Sequence, residues 1–455
     1  MIRAVTLTIL LVASFAVGGA TRTIAGRVVD AASLQPIADA IVTSGDAVVR
    51  TGPDGAFEVP GYGERLGIRA YGYAREFVTT ESLERAEGQV RLARLHPEAL
   101  YLTSLGFANR SLRNAALAIA AHTEINALVI DVKGDRGYVA FASAAPLARA
   151  SGAERSIAMR NLRELTDALH AQGLYVIARI VVFKDNVLAT ARPDLAVKTR
   201  DGRVWHDTEG LAWTDPMRPE VWDYNVALAV EAARAGFDEI QFDYVRFPDS
   251  AAGLVFSAAS TQKSRIAAIS GFLAMARERL VPYNVFLSAD IFGYVCWNLD
   301  DSGIGQTLSE MLRYVDYLSP MLYPSTFQFG IPGYRDPVAH PYEVVYRSLE
   351  RALARSRVSP LRLRPWLQSF RDYAFDRRAF TGEQIRTQIL AADRAGTNGW
   401  MLWNPRNVYS DAGLASKAPV GQAETECGRE QILRARRCRI SLAEDVQPAL
   451  EQDLR

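Results

Sequence analysis

From Ala99 onward the chain repeats one unit, a short apolar run suited to a buried strand followed by a stretch with helical spacing. Eight such runs occur: ALYLTSL from Ala99, NALVIDV from Asn126, LYVIARIVV from Leu174, FDEIQFD from Phe237, NVFLSAD from Asn284, DYLSPML from Asp316, LRPWLQS from Leu363 and NGWMLWN from Asn398. Between them lie helical patterns such as RNLRELTDALHAQG and GEQIRTQILAADRAG, whose final glycines suit a left-handed C-cap. Eight strand-helix units over roughly 320 residues match the size of a (β/α)8 TIM barrel with some long loops. An open doubly wound sheet would have fewer units and a G-x-G-x-x-G or Walker-type loop after its first strand, and the sequence has neither.

The segment before the repeat has another texture. Short alternating runs, TIAGRVVD, AIVTSGD, FEVPGY and LGIRAYGY, are divided by turn residues such as Gln35-Pro36 and Pro53-Asp54-Gly55, which predicts a small all-β sandwich domain. The expected fold class is therefore α/β, a (β/α)8 TIM barrel over residues 98–415 preceded by a sandwich over residues 22–95. Ahead of both, MIRAVTLTILLVASFAVGGA joins one early charge, Arg3, to an apolar run ending in small residues. That is the pattern of a cleavable signal over residues 1–20. It predicts a periplasmic or secreted protein with no stable membrane insertion after cleavage. Residues 420–455 lose the rhythm and read as a charged tail.

Charge and cysteine usage narrow the function classes. Fifty-two Lys and Arg stand against 51 Asp and Glu, a formal charge of +1, which leaves no basic footprint for nucleic acid. The three cysteines, Cys296, Cys427 and Cys438, fit no zinc-site spacing, and the five histidines are scattered, so neither a metal nor another cofactor is expected. In an oxidising compartment Cys427 and Cys438 are placed to close a loop in the tail; three unpaired thiols is the other reading.

In such a barrel the site is built from inward-facing residues at the carboxyl ends of the strands, and parity along each strand says which these are. On the fourth run Glu239, Gln241 and Asp243 share the inner face, so Asp243 points into the barrel mouth. It leads into Tyr244-Val-Arg246, and a guanidinium, from Arg179 or Arg246, would hold it ionised. On the fifth run Asp290 is inward. Two carboxyls at neighbouring strand ends are what acetal cleavage requires, one ionised at the anomeric carbon and one donating a proton to the leaving oxygen. Asp243 and Asp290 are thus the catalytic candidates, with Asp131 as the other possible donor. The same parity places Asp131 and Lys133 inward on the second run, either to grip sugar hydroxyls or to pair with each other. Arg179, inward in an apolar third run, demands a carboxylate, Asp131 or Asp243. Gln241, Arg246, Tyr323, Gln368, Trp403 and Asn404 complete the substrate-binding candidates, Trp403 as a stacking surface if it is not core.

Two resemblances accompany these readings. G-R-V-V-D, P-I-A-D-A-I-V, T-G-P-D-G-A-F-E-V and Y-G-Y resemble the carboxypeptidase regulatory-like module, a transthyretin-like sandwich. VIDVKGDRGYVAF, YVIARIVVFKD, WTDPMRPEVWDYN, FDEIQFDYVRFP, LSADIFGY and SPMLYPS together resemble the putative glycoside hydrolase domain family, barrels distantly similar to the α-amylase group. The second resemblance implies a glycosidase with Asp243 as nucleophile. It departs from the amylase pattern in having Asp290 where amylases carry Glu and Gln241 where they carry Arg. The resulting expectation is an exported glycoside hydrolase acting on a polysaccharide or cell-envelope glycan; the alternative is a non-catalytic carbohydrate-binding envelope protein on the same barrel.

Overall fold

The computed structural model describes residues 23–61, 65–249 and 253–417. The expected signal and the tail with Cys427 and Cys438 lie outside the described residues. All eight expected strands form: Glu98–Leu102, Ala127–Lys133, Tyr175–Val181, Glu239–Asp243, Phe286–Phe292, Tyr317–Met321, Trp366–Gln368 and Trp400–Trp403. They close in chain order into one parallel barrel, the eighth pairing back to the first, and are called barrel strands one to eight below.

These strands read as apolar runs because both of their faces are covered, by helices outside and by a filled lumen inside. Leu128, Ile130, Val176, Ile240, Phe242 and Leu287 pack against the helices. Val129, Ile177, Phe286, Tyr317, Trp366 and Met401 fill the lumen. Each such buried side chain contributes roughly 1.5–3 kcal/mol. The helices begin and end where local chemistry dictates. Asn161 accepts hydrogen bonds from the Arg163 and Glu164 amides at the start of Leu162–Ala171. Gly396, with φ of 74°, closes Gly382–Ala395.

One irregularity breaks the parity. Strands two and three shift register beside Arg179: Arg179 stands opposite Asp131, and the next residue, Ile180, stands opposite Lys133. Val132 is the extra residue of this bulge, and it turns Lys133 out of the lumen.

The sandwich consists of one sheet of Thr23–Asp30, Ala56–Pro60 and Gln89–Leu92, and a second of Ile41–Ser44, Ala47–Arg50, Arg65–Arg69 and Glu76–Thr79. Its core includes Val28, Val42, Val59, Ile68 and Val90. It sits on the amino-terminal end of the barrel. Tyr71 and Leu95 join the lumen cluster from below, Tyr71 meeting Tyr317 edge-on at 6.0 Å. Arg75 donates to Asp238 (3.0 Å) and to the Gly236 carbonyl (2.7 Å), and Arg69 donates to Asn284 (3.2 Å). The approach is close enough to require Gly67, where an added Cβ would lie 2.5 Å from the Asn284 Cβ. Among the described residues no helix is long and apolar enough to cross a membrane.

Candidate active site

Asp243 ends barrel strand four and faces the lumen, as parity requires. The chain turns sharply after it: Tyr244 has φ of 48°, a left-handed conformation costly for a residue with a side chain. That turn aims the Tyr244 amide back at Asp243 Oδ1, a 2.6 Å hydrogen bond. Oδ2 of Asp243 accepts from both Nε (3.1 Å) and Nη2 of Arg179. The third nitrogen of the same guanidinium, Nη1, donates to Asp131 Oδ1 at 2.6 Å, and the Tyr101 hydroxyl donates to Asp131 Oδ2 at 2.6 Å. Arg179 thus answers both carboxylates that the sequence offered it. Burial opposes its charge, but Asp131 and Asp243 outweigh burial and hold its pKa well above the usual value. The guanidinium also faces the rings of Trp403 (4.9 Å) and Tyr101 (5.3 Å), which are stacked 3.9 Å apart.

Asp290 lies beside Asp243. Phe242 and Ala289 are paired across strands four and five, and the next residues along are the two aspartates, on strands about 4.8 Å apart. Their surroundings differ. Asp290 Oδ1 accepts one hydrogen bond, from the Trp366 indole (2.8 Å), and Oδ2 has no hydrogen-bond partner among the described residues. Burial, reinforced by the charge of Asp243, pushes the Asp290 carboxyl far above the usual range. Tyr323, just past strand six, is buried beside the pair, and burial is the main cause that raises its phenol. Gln241, one layer below Asp243, is in the lumen with Nε2 directed at Ser319 and Met401 and Oε1 unpartnered.

Four expected binding residues are placed elsewhere. Lys133, turned outward by the bulge, is buried against helix Pro219–Arg234, donating to the Val181 carbonyl (2.6 Å) and Asn225 (3.0 Å) and pairing with Asp185 at 2.8 Å. It neither reaches the lumen nor pairs with Asp131. Arg246 pairs with Asp249 at 2.8 Å and lies over Trp213 and Tyr244, because the left-handed turn after Asp243 carries it away from that carboxylate. Gln368 is inward, but its amide is consumed by Ser325 and the Phe370 carbonyl. Asn404 spends its side chain on Ser369, Arg406 and Val408, closing the loop after strand eight. Gln368 and Asn404 brace loops. Of the two tryptophans on strand eight, Trp400 belongs to the helix-facing core and Trp403 to the mouth.

Two residues of the site escaped the sequence reading, Tyr101 on strand one and Trp366 on strand seven. Parity was available for both. Tyr101 is two residues from Ala99, and Trp366 is two from Gln368, each pair sharing the inner face.

No curated protein matches the chain. Solved structures similar to it include a hypothetical protein from Ruminiclostridium thermocellum, 41% identical over 42% of this chain and 96% of that one, with a TM-score of 0.38. Others are the PgaB (BpsB) glycoside hydrolase domain from Bordetella bronchiseptica, 14% identical over 70% and 97% with a TM-score of 0.48, and the class V chitinase from Nicotiana tobaccum, 10% identical over 69% and 94% with a TM-score of 0.41. The family described as "Putative glycosyl hydrolase domain" matches residues 99–409, a span that runs from the first barrel strand through the loop after the eighth and takes in every residue of the site above. The chain belongs to that family.

Proposed function

We propose that the chain is an exported glycoside hydrolase that cleaves a polysaccharide or cell-envelope glycan with Asp243 and Asp290 as its paired carboxyls. The observation that carries this reading is the inequality of two adjacent acids. Asp243 receives two guanidinium bonds and an amide, whereas Asp290 is buried with one hydrogen bond and its carboxyl is pushed up by burial. One ionised and one protonated carboxyl on a single wall is the division of labour acetal hydrolysis needs. Asp131 is not the donor in this scheme, because Arg179 and Tyr101 occupy both its oxygens.

The steps balance as follows. A carboxylate oxygen of Asp243 bonds to the anomeric carbon as the glycosidic C–O bond breaks, and the leaving oxygen takes the Asp290 proton. Water then attacks the anomeric carbon, giving one proton to Asp290 and releasing Asp243. Placement at adjacent ends of neighbouring strands favours the short carboxyl separation that goes with net retention of configuration.

Export rests on the residue 1–20 pattern, and fractionation of producing cells tests it. The sandwich is assigned to the carboxypeptidase regulatory-like group on its motifs, and its seat opposite the mouth keeps it out of the chemistry. The second reading, a glycan binder without turnover, is favoured by one fact: Asp290 is only 1% exposed, with its free oxygen shut in. Digestion of a glycan panel by the mature protein separates the two. Retained-configuration product from the native chain and none from Asp243→Asn is expected. Equal turnover by Asp243→Asn sinks the catalytic assignment, and no product from any glycan that the protein binds establishes the binder.

A further inference from the structure

Two loops at the mouth present aromatic rings to solvent on backbones that are fixed rather than loose. In the loop after strand seven, Asp372 accepts from the amides of Ala374 (3.1 Å), Phe375 (2.9 Å) and Arg377 (2.9 Å), and from the Ser325 hydroxyl (2.7 Å) of the loop after strand six. The turn so pinned holds Tyr373 at 48% exposure. The loop after strand six does the same with Phe329, 89% exposed, whose amide donates to the Tyr294 hydroxyl (2.9 Å), which in turn donates to the Gly330 carbonyl (3.2 Å). Scattered exposed apolar residues need no explanation. Rings held in water by a built hydrogen-bond scaffold do, since the ordering is spent on a surface that gains nothing in the free protein.

The Tyr373 ring is also continuous with the carboxyl pair. Tyr323 lies beside Asp290 and Asp243; its ring meets Phe370 edge-on at 5.5 Å, and Phe370 lies near-parallel to Tyr373 at 6.2 Å. Exposure rises along that line, from nearly buried at Tyr323 through half-buried Phe370 to open Tyr373. A pyranose ring has an apolar face of C–H groups that stacks on aromatic faces. The bolt between Ser325 and Asp372 joins the loop that carries Phe329 to the loop that carries Tyr373.

We propose that Tyr373 and Phe329, with Phe370 between Tyr373 and Tyr323, form an aromatic shelf that binds further sugar rings of one polymer chain beyond the ring at Asp243. The ligand class is a linear polysaccharide of several consecutive pyranoses, not a disaccharide or a single glycoside. This deepens the hydrolase reading and rests on it for the direction in which the chain leaves the carboxyls.

Titration calorimetry of the Asp243→Asn chain with chito-, cello- and malto-oligosaccharides of two to six sugars tests the shelf. In the series that binds, affinity is expected to climb with length. Tyr373→Ala and Phe329→Ala are each expected to lower the six-sugar to two-sugar affinity ratio about tenfold, and Tyr373→Phe, which keeps the ring, to restore it. A ratio unmoved by either alanine overturns the shelf and leaves the hydrolase reading standing. Absence of binding in all three series by a folded Asp243→Asn chain overturns the shelf as a binder of such chains, while product formation by the native chain on the glycan panel decides the hydrolase reading separately.

Discussion

At the scale of single residues the site is organised by one guanidinium. Arg179 spans from strand three to Asp131 on strand two and Asp243 on strand four, so one planar fork fixes the direction of both carboxyls. Asp290 supplies the opposite character. Its raised pKa has two pH signatures with the same sign. In its proposed role of proton donor it acts only when protonated, so kcat/KM should fall as pH climbs through that raised value, and Asp290→Asn should remove the limb along with most turnover. As a buried acid it binds a proton that the unfolded chain releases in the ordinary carboxylate range, so its contribution to stability is complete below that range and is lost as pH rises through the folded value. Urea midpoints measured from acid to alkaline pH should therefore decline less in Asp290→Asn than in the native chain. The pair itself was legible from strand parity, and so was the need of Arg179 for an acid. The raised pKa of Asp290 was not, because it comes from burial and then from the neighbouring Asp243 charge, against the lowering pull of Arg179 and the Trp366 hydrogen bond, and these are facts of packing across the lumen.

At the scale of elements, the eight strands could be read because each is a continuous apolar run bounded by a helix pattern, and their inward residues followed from period two. Period two failed where pairing intervened. Lys133 obeys the alternation of its own strand on paper, yet the bulge against strand three moves it to the helix side, and a register shift is a property of two strands, not of one sequence. The result is a fully buried Lys133–Asp185 pair under the loop that follows strand three. Removing the lysine strands a buried carboxylate, so Lys133→Met should cost about 3–5 kcal/mol of stability in denaturant unfolding, while the double variant with Asp185→Leu should recover much of it. Recovery is the informative half: a substrate-gripping lysine would regain nothing from a change at Asp185. Gln368 and Asn404 were misread for a related reason, since each faces a loop carbonyl or amide that only the folded loop supplies.

At the scale of the whole molecule, two domains were legible from the change of texture near residue 98, but their seating was not, because Arg69, Arg75 and Tyr71 look like ordinary surface residues until the barrel is beside them. That seating is selective. Arg75 holds Asp238 and Arg69 holds Asn284, the first directly before strand four and the second two residues before strand five, whose mouth-side portions carry Asp243 and Asp290. Arg75→Ala should thus lower kcat with little change in KM, and a matching fall in both on every substrate would argue for general loosening instead. The sandwich grips two adjacent staves of the barrel by the base, roughly 16–20 Å along the strands from the acids at their tips. It works like the jig that holds two blades of one cutter in alignment. A part seated at the end opposite the mouth then becomes inseparable from the edge it sets, and trimming the chain to its barrel is expected to give a dull tool rather than a smaller one.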